Sequence, residues 1–183
     1  MQQVNIEISR DDYLEQDALS ELKLEFYDGR ILAIAEATFK HSQIAGNLFG
    51  ELWQALKGKF CQPMNSDMRV HTPSGLDTYP DISVYCGDPQ LGDNETTLLN
   101  PTVIIEVLSP STRDYDRGGK FAHYRSIVGL QDYLLVDPTA VLVEHYRRVD
   151  QDEWLLHVYS DLAAVVMLES LDLNLSIETI YRA

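Results

Sequence analysis

The stretch "PTVIIEVLSPSTRDYDRGGKF", residues 101–121, decides the fold class. Its first part, residues 103–108, is an apolar run of the kind found in central β-strands that are covered on both faces. Pro110 ends this strand, and residues 116–128 predict a helix. The next run, "DYLLVDP", predicts a second strand, so the three elements form a candidate right-handed crossover. This order favours an α/β fold, close to α+β, with a mixed sheet between helices.

The segments before this stretch predict a hairpin, a helix and two strands. In "KLEFYDGRILAIAEA" the Asp28-Gly29 pair is a strong hairpin signal. A helix is predicted from about Thr38 to Lys57, because apolar residues recur on one face: Ile44, Leu48, Leu52 and Leu56. "MRVHTP" and "DISVYC" predict two strands around a loop at residues 74–77, and residues 87–100 predict a loop.

The segments after it predict a second hairpin and a tail. "VLVEHYRR" and "EWLLHVYS" alternate like paired strands, and the tail from Leu162 is expected to pack over the core. The length of 183 residues suits one domain. We divide residues 1–183 into a polar lead-in or short helix (1–22), a core (23–148) and a C-terminal strand with its tail (149–183).

Composition limits the classes of function. The net charge of −15 argues against tight, non-specific DNA binding, because phosphate neutralisation supplies most of that affinity. No stretch reaches the roughly 20 apolar residues of a membrane span. We expect no signal peptide, because the first residues lack a basic segment followed by an apolar one. Cys61 and Cys86 are predicted to be small buried residues and not a disulfide or metal site. We therefore expect a cytoplasmic protein.

Glu106 is the unusual residue of the central strand. It shares a face with Ile104 and Leu108, where an ionised acid is severely penalised unless it is paired or holds a metal ion. One interpretation places Glu106 at the open end of the strand beside an arginine. The other makes it a metal ligand at the carboxyl edge of the sheet, where α/β folds tend to place their sites.

Two further residues could join Glu106. Asp81 follows Pro80 at the start of a strand, and Lys120 lies at the start of the next helix. Lys120 either forms a simple ion pair with Asp116, four residues before it, or points back over the strand end. Two acids and a lysine that converge could hold Mg²⁺ and stabilise charge on a phosphodiester.

Three segments carry a family resemblance: "YPDISVY", "PTVIIEVLSPSTRDYDRGGKFAHYRS" and "LQDYLLVDP". From about Glu25 to Arg148 the chain resembles a bacterial restriction-endonuclease-like family of the PD-(D/E)XK nuclease superfamily. The resemblance implies a restriction-endonuclease-like core, here with an added N-terminal hairpin and C-terminal hairpin. It also implies an endonuclease that hydrolyses DNA with Mg²⁺ (or Mn²⁺).

The same resemblance implies roles for single residues. Asp81 and Glu106 correspond to metal ligands, together with the carbonyl of Val107. The superfamily pattern places a lysine two residues after the acid, and Leu108 stands there instead. In the narrower family a lysine from the following helix is taken as the replacement, which makes Lys120 the catalytic lysine.

Five other residues are candidates for the site. Asp67 could lie opposite Asp81 across the hairpin predicted from "MRVHTP" and "DISVYC". Asp116 is expected to cap the helix or to partner Lys120. His41 is either a surface or capping histidine or a residue that approaches a phosphate. Arg113 and Arg117 are candidate contacts to substrate phosphates.

Two alternatives to an active enzyme stay open. The net charge and the apolar Leu108 favour a catalytically weak or inactive nuclease fold that acts as a nucleic-acid-binding or protein-interaction module. A third interpretation is a domain whose acids are structural. For the enzyme we expect DNA as a weakly bound substrate, no membrane, and a homodimer that forms through "VLVEHYRR" and "EWLLHVYS".

Overall fold

The computed structural model describes residues 7–34 and 37–182. Its strands are β1 (Leu24–Tyr27), β2 (Arg30–Ala33), β3 (Cys61–Asn65), β4 (Arg69–His71), β5 (Asp77–Thr78), β6 (Ile82–Cys86), β7 (Leu91–Gly92), β8 (Thr97–Leu98), β9 (Val103–Val107), β10 (Asp132–Val136), β11 (Val143–Arg148), β12 (Trp154–Tyr159), β13 (Val165–Leu168) and β14 (Leu173–Ser176). Its helices are α1 (Arg10–Leu19), α2 (Phe39–Leu56), α3 (Arg113–Tyr115), a π-helical turn (Asp116–Lys120), α4 (Phe121–Tyr124), a 3-10 turn (Glu169–Leu171) and α5 (Ile177–Tyr181). None of these helices is long and apolar enough to cross a membrane.

The central sheet has the order β12-β11-β10-β9-β6-β3. Strands β9 and β10 run parallel, with Val103 opposite Asp132, and the other pairs are antiparallel. Every residue of β9 and β10 is buried, as the apolar runs predict. Helices cover the sheet, so the predicted α/β fold with a mixed sheet between helices is confirmed.

One face of the central sheet packs against α2, α5 and the β13–β14 hairpin. Thr38 caps α2 by accepting a hydrogen bond from the backbone N–H of His41, and the predicted apolar face of the helix is fully or almost fully buried. Burial of each such leucine stabilises the fold by about 1.5–3 kcal/mol. The tail from Leu162 packs over this core as expected, and it forms a hairpin and a helix there.

The other face of the central sheet packs against the outer sheet and the 113–124 helix, which comprises α3, the π-helical turn and α4. The outer sheet has the order β2-β1-β5-β4-β8-β7. The core on this face contains Ile104, Leu108, Tyr124 and Tyr133. Glu106 lies on this face because its side chain alternates with those of Val103, Ile105 and Val107 on the opposite core.

The predicted pairing of "MRVHTP" with "DISVYC" is wrong. Thr72 donates its N–H to the carbonyl of Leu76 at 2.8 Å, so β4 folds back onto β5 within the outer sheet. The chain then changes sheets, and β6 pairs with β3 and β9. Residues 87–100 are not only a loop, because they contain the short strands β7 and β8.

The expectation for the two cysteines is also wrong. Cys61 and Cys86 lie directly opposite each other on β3 and β6, and they are joined by a disulfide. The register of these two strands brings their Cα atoms within 4.0 Å, although they are 25 residues apart in sequence. Sequence reasoning missed the bond because it did not predict β3 as a strand.

The N-terminal hairpin forms where it was predicted. Asp28 and Gly29 adopt positive φ angles of 49° and 72°, which the tight turn between β1 and β2 requires. The lead-in contains α1, whose cap is Ser9. Ala35 and Glu36, at the end of the predicted second strand, lie outside the described residues.

Candidate active site

Asp81 and Glu106 lie side by side where β6 and β9 pair. Ile82 is opposite Ile105, so the neighbouring Asp81 faces Glu106. The backbone N–H of Asp81 donates to Glu106 Oε2 at 3.3 Å, and the N–H of Val107 donates to Asp81 Oδ2 at 2.7 Å. The Glu106 side chain is 5% exposed and that of Asp81 is 18% exposed. Backbone N–H groups therefore hold both carboxylates in place, and solvent reaches the site from the side of Asp81.

Lys120 points back over the strand end and not into solvent. Its Nζ lies 3.1 Å from Glu106 Oε1, 2.9 Å from Glu25 Oε1 and 3.8 Å from Asp116 Oδ1. The residue is 6% exposed. The structure thus brings Asp81, Glu106 and Lys120 together, and their catalytic roles stay predictions.

A π-helical turn orients Lys120. Asp116 and Lys120, the first and last residues of the turn, are both buried. The Tyr133 hydroxyl donates a hydrogen bond to the backbone carbonyl of Asp116 at 3.0 Å. A Cβ atom on Gly119 would lie 2.6 Å from the Tyr115 ring, so the turn depends on the missing side chain there. π-Helical turns occur frequently at functional sites, and sequence reasoning predicted an ordinary helix here.

Glu25, Thr78 and Tyr124 complete the cluster, and sequence reasoning did not assign them to it. Tyr124 donates its hydroxyl hydrogen to Glu106 Oε1 at 2.7 Å, and Thr78 donates to Glu25 Oε1. Glu25 is 8% exposed although it lies in a hairpin strand. An acid inside a predicted strand was the available signal for Glu25, as it was for Glu106.

His41 also reaches this region. Its Nε2 lies 3.3 Å from Asp81 Oδ2, and its side chain is 15% exposed. The bond with Asp81 raises the pKa of His41, and burial opposes this shift. The His41 side chain thus lies beside Asp81, and its approach to a phosphate stays a prediction.

The other candidates differ in position. The hairpin that was expected to place Asp67 opposite Asp81 does not form, and the Asp67 carboxylate pairs with Lys23 at 2.9 Å. Asp116 is a partner of Lys120 and accepts a hydrogen bond from Thr112. Two arginines each pair with an acid: Arg113 with Asp137, directly after β10, at 3.4 Å, and Arg117 with Glu144 of β11 at 2.7 Å.

The cluster carries more negative than positive charge. One ammonium, that of Lys120, faces the carboxylates of Glu25, Glu106 and Asp116, with Asp81 beside them. Burial raises the pKa of Glu106, and the nearby Asp116 and Asp81 add to this effect. Burial opposes the charge of Lys120, but the carboxylates raise its pKa well above the ordinary value. An added cation would relieve the excess of negative charge.

The donor atoms fit a hard divalent cation. Asp81, Glu106 and the Val107 carbonyl offer oxygen atoms, and Glu106 Oε2 has only the Asp81 N–H as a hydrogen-bond partner within the described ranges. Mg²⁺ is usually held by one or two carboxylates with water and substrate oxygens. Residues 7–34 and 37–182 contain no group of three or more His, Cys, Asp or Glu side chains arranged as a complete metal cage. Water and substrate would therefore complete the coordination.

A sequence model of the Uma2 family, described as "Putative restriction endonuclease", matches residues 10–179. The chain belongs to the Uma2 family. All the site residues named above lie within the matched range.

Two relatives and a solved structure are similar over most of the chain. An uncharacterized protein of Synechocystis is 36% identical over 96% of this chain and 92% of its own length. A second one from the same organism is 37% identical over 79% of this chain and 83% of its own length. A crystal structure from Anabaena variabilis, described as "a putative nuclease belonging to DUF820", matches with a TM-score of 0.78 at 24% identity and covers 95% of this chain and 97% of its own. This structural match supports the restriction-endonuclease-like fold.

Proposed function

We propose that the protein is an endonuclease that hydrolyses DNA phosphodiester bonds with Mg²⁺ or Mn²⁺. The observation that carries this proposal is the buried Lys120 ammonium, which lies 3.1 Å from Glu106. The helix thereby supplies the charge that Leu108 does not. The descriptions of the family and of the structural neighbour as nucleases support the same reaction class.

Each residue has a proposed part in the reaction. Asp81, Glu106 and the Val107 carbonyl would hold the cation. The chemistry that Mg²⁺ supplies when bound is polarisation of the phosphodiester and a lower pKa for a coordinated water. Lys120 stabilises the negative charge that develops on the phosphate, because its ammonium is already oriented and largely shielded from bulk water.

DNA is the proposed substrate, and weak non-specific binding is expected. Arg113 and Arg117 are candidate phosphate contacts that would exchange their partners Asp137 and Glu144 for substrate. The net charge of −15 opposes the approach of a polyanion, which keeps binding weak. The contacts from Arg113 and Arg117 should weaken as salt rises, because salt ions compete with them for the phosphates.

Nicking of supercoiled plasmid tests the proposal. Wild type should nick the plasmid when Mg²⁺ or Mn²⁺ is added, and Glu106→Ala should lower the rate on the order of 10²–10³-fold. Glu169→Ala is the control, because its side chain is 61% exposed and pairs with Arg147 away from the cluster. If wild type does not nick at any salt concentration, the hydrolase proposal is wrong.

The alternative is a nuclease fold that binds without turnover. The charge of Lys120 is shared among three carboxylates, which favours this alternative because the ammonium is already neutralised. Binding of labelled duplex without nicking, unchanged by Glu106→Ala, would identify that binding module.

We also propose that the protein forms a homodimer through β12. This strand lies at the edge of the central sheet, and Leu155, Leu156 and Val158 on it are 42%, 44% and 57% exposed. Its sequence, "WLLHVY", has no Asp, Glu, Lys or Arg, so two acidic chains could pair there with little repulsion. Light scattering should give twice the monomer mass, and Val158→Lys should return the monomer.

A further inference from the structure

We propose that Glu25 is a positioning residue that fixes the Lys120 ammonium at the reaction centre. Glu25 comes from β1 of the outer sheet, whereas Glu106 comes from β9 of the central sheet. This inference rests on the proposed nuclease function, because it assigns Glu25 a role through Lys120 in the same site.

The distances place Lys120 between the two sheets. Its Nζ is 2.9 Å from Glu25 Oε1 and 3.1 Å from Glu106 Oε1. An ammonium has three donor hydrogens, so it can satisfy both carboxylates at once. The third carboxylate, that of Asp116, is more distant at 3.8 Å. Glu25 therefore pulls the ammonium toward the outer sheet, against the pull of Glu106.

Glu25 is itself held in place. The Thr78 hydroxyl donates to Glu25 Oε1, and the β1–β5 pairing, with Phe26 opposite Asp77, fixes the strand that carries Glu25. Among residues 7–34 and 37–182, Lys120 is the one cation within ion-pair distance of Glu25. Because the Glu25 carboxylate is itself fixed, its ion pair with Lys120 determines where the Lys120 ammonium lies.

Without the Glu25 carboxylate, the ion-pair partners of Lys120 would be Glu106 and Asp116. The ammonium would then move toward these two carboxylates and neutralise Glu106, whose Oε1 already accepts the Tyr124 hydroxyl hydrogen. Glu106 would become a poorer cation ligand, and Lys120 would leave the position that faces both sheets. A displacement of about 1 Å at a reaction centre can lower a rate on the order of 10²-fold.

An ion pair that merely joins two sheets would use the same contacts. The amide variant Glu25→Gln separates the two roles, because a glutamine oxygen accepts the same hydrogen bonds from Lys120 and Thr78 without the charge. Positioning by these hydrogen bonds survives in Glu25→Gln and is lost in Glu25→Ala. A loss of stability alone would not show this pattern of rescue.

The experiment combines a spectroscopic signal with the nicking assay. The full-length chain is labelled with ¹⁵N, and the protected Nζ resonance of Lys120 is assigned by its loss in Lys120→Met. This resonance is recorded for wild type, Glu25→Gln, Glu25→Ala and the exposed control Glu169→Ala. The same four proteins are assayed for plasmid nicking with Mn²⁺.

We expect the resonance in wild type, Glu25→Gln and Glu169→Ala, and its loss or a large shift in Glu25→Ala. Nicking should fall about 10–100-fold in Glu25→Ala and only a few-fold in Glu25→Gln. An unchanged resonance in Glu25→Ala would overturn the inference, as would the absence of a protected resonance in wild type or wild-type nicking by Glu25→Ala. If wild type does not nick, the proposed function fails, and the resonance still decides whether Glu25 holds Lys120.

Discussion

Two largely buried charge clusters in this molecule differ in their charge balance. The anchor cluster joins α1 to the outer sheet and consists of Arg10, Asp17, Arg69, His71, Asp77 and Asp93. In it, Arg10 makes two bonds of 2.8 Å to Asp77, and Arg69 binds Asp17 at 2.7 Å. In the candidate site, by contrast, one lysine faces several carboxylates. The anchor cluster is nearly neutral, and the site is not.

The pKa shifts follow this difference. Burial alone would raise the pKa of Asp77, but His71 and Arg10 lower it below the ordinary value. Burial raises the pKa of Glu106, and Lys120 opposes this only in part. Perturbed acids that lack enough cationic partners are typical of functional sites, whereas paired acids hold the fold together. The anchor cluster therefore stabilises the fold, whereas the site has fewer cationic groups than carboxylates.

The largest expected effect comes from breaking the anchor cluster. Arg69→Met would leave the buried Asp17 without its cationic partner, and it should lower the free energy of unfolding by about 3–5 kcal/mol. Urea denaturation measures this loss. Arg147→Met, which breaks a more exposed pair with Glu169, should cost about 1 kcal/mol or less. Equal losses in the two variants would show that the buried Arg69–Asp17 pair stabilises the fold no more than the exposed Arg147–Glu169 pair does.

An intermediate effect is expected at the turn that carries Lys120. Gly119→Ala places a Cβ atom 2.6 Å from the Tyr115 ring, whereas Gly118→Ala meets nothing within 4 Å. The first should cost about 1–3 kcal/mol because the ring must move, and the second should be neutral or slightly stabilising. Urea denaturation of the pair, with nicking assays on both, gives the comparison. Similar behaviour of the two alanines would mean that the π-helical turn tolerates a side chain at either position.

Much of the fold follows from local patterns in the sequence. The apolar runs of β9 and β10, the face of α2 and the Asp28-Gly29 turn each depend on neighbouring residues, and these predictions hold. The division of strands between two sheets does not follow from local patterns. It depends on the turn at residues 72–76, which sends β4 back onto β5, and strand pairing over long separations has no local signal.

The site was partly predictable for the same reason. Glu106 was visible as an acid in an apolar strand, and Lys120 as a lysine close after it. Glu25 carried a similar signal in β1, but nothing local connects β1 to the 113–124 helix. The π-helical turn was also hidden, because a five-residue segment with two glycines predicts a weak helix and not a wider turn. The position of Glu25 at the site and the π-helical form of the turn both depend on packing between segments that are distant in sequence.

The smallest expected effect, and the one with the most informative sign, comes from neutralising one acid in each cluster. In the site, the pKa of Glu106 is raised above its value in the unfolded chain. The folded state therefore keeps a proton that the unfolded state loses, and the free energy of unfolding falls as pH rises from about 4.5 to the raised pKa. In the metal-free protein at pH 8, Glu106→Gln should consequently raise the free energy of unfolding by about 1 kcal/mol.

Asp77→Asn is the matched control with the opposite sign. The pKa of Asp77 is lowered in the folded state, so its charge stabilises the fold above the unfolded pKa of about 4, and this contribution is lost as pH falls through the folded pKa. Asp77→Asn should therefore destabilise the protein at pH 8, and the difference from wild type should shrink in acid. Urea denaturation with a chelator measures both variants at pH 8 and again at about pH 3, which lies below the unfolded pKa of both acids. Destabilisation by Glu106→Gln at pH 8 would mean that Lys120 already balances the site, because the carboxylate would then be contributing as Asp77 does.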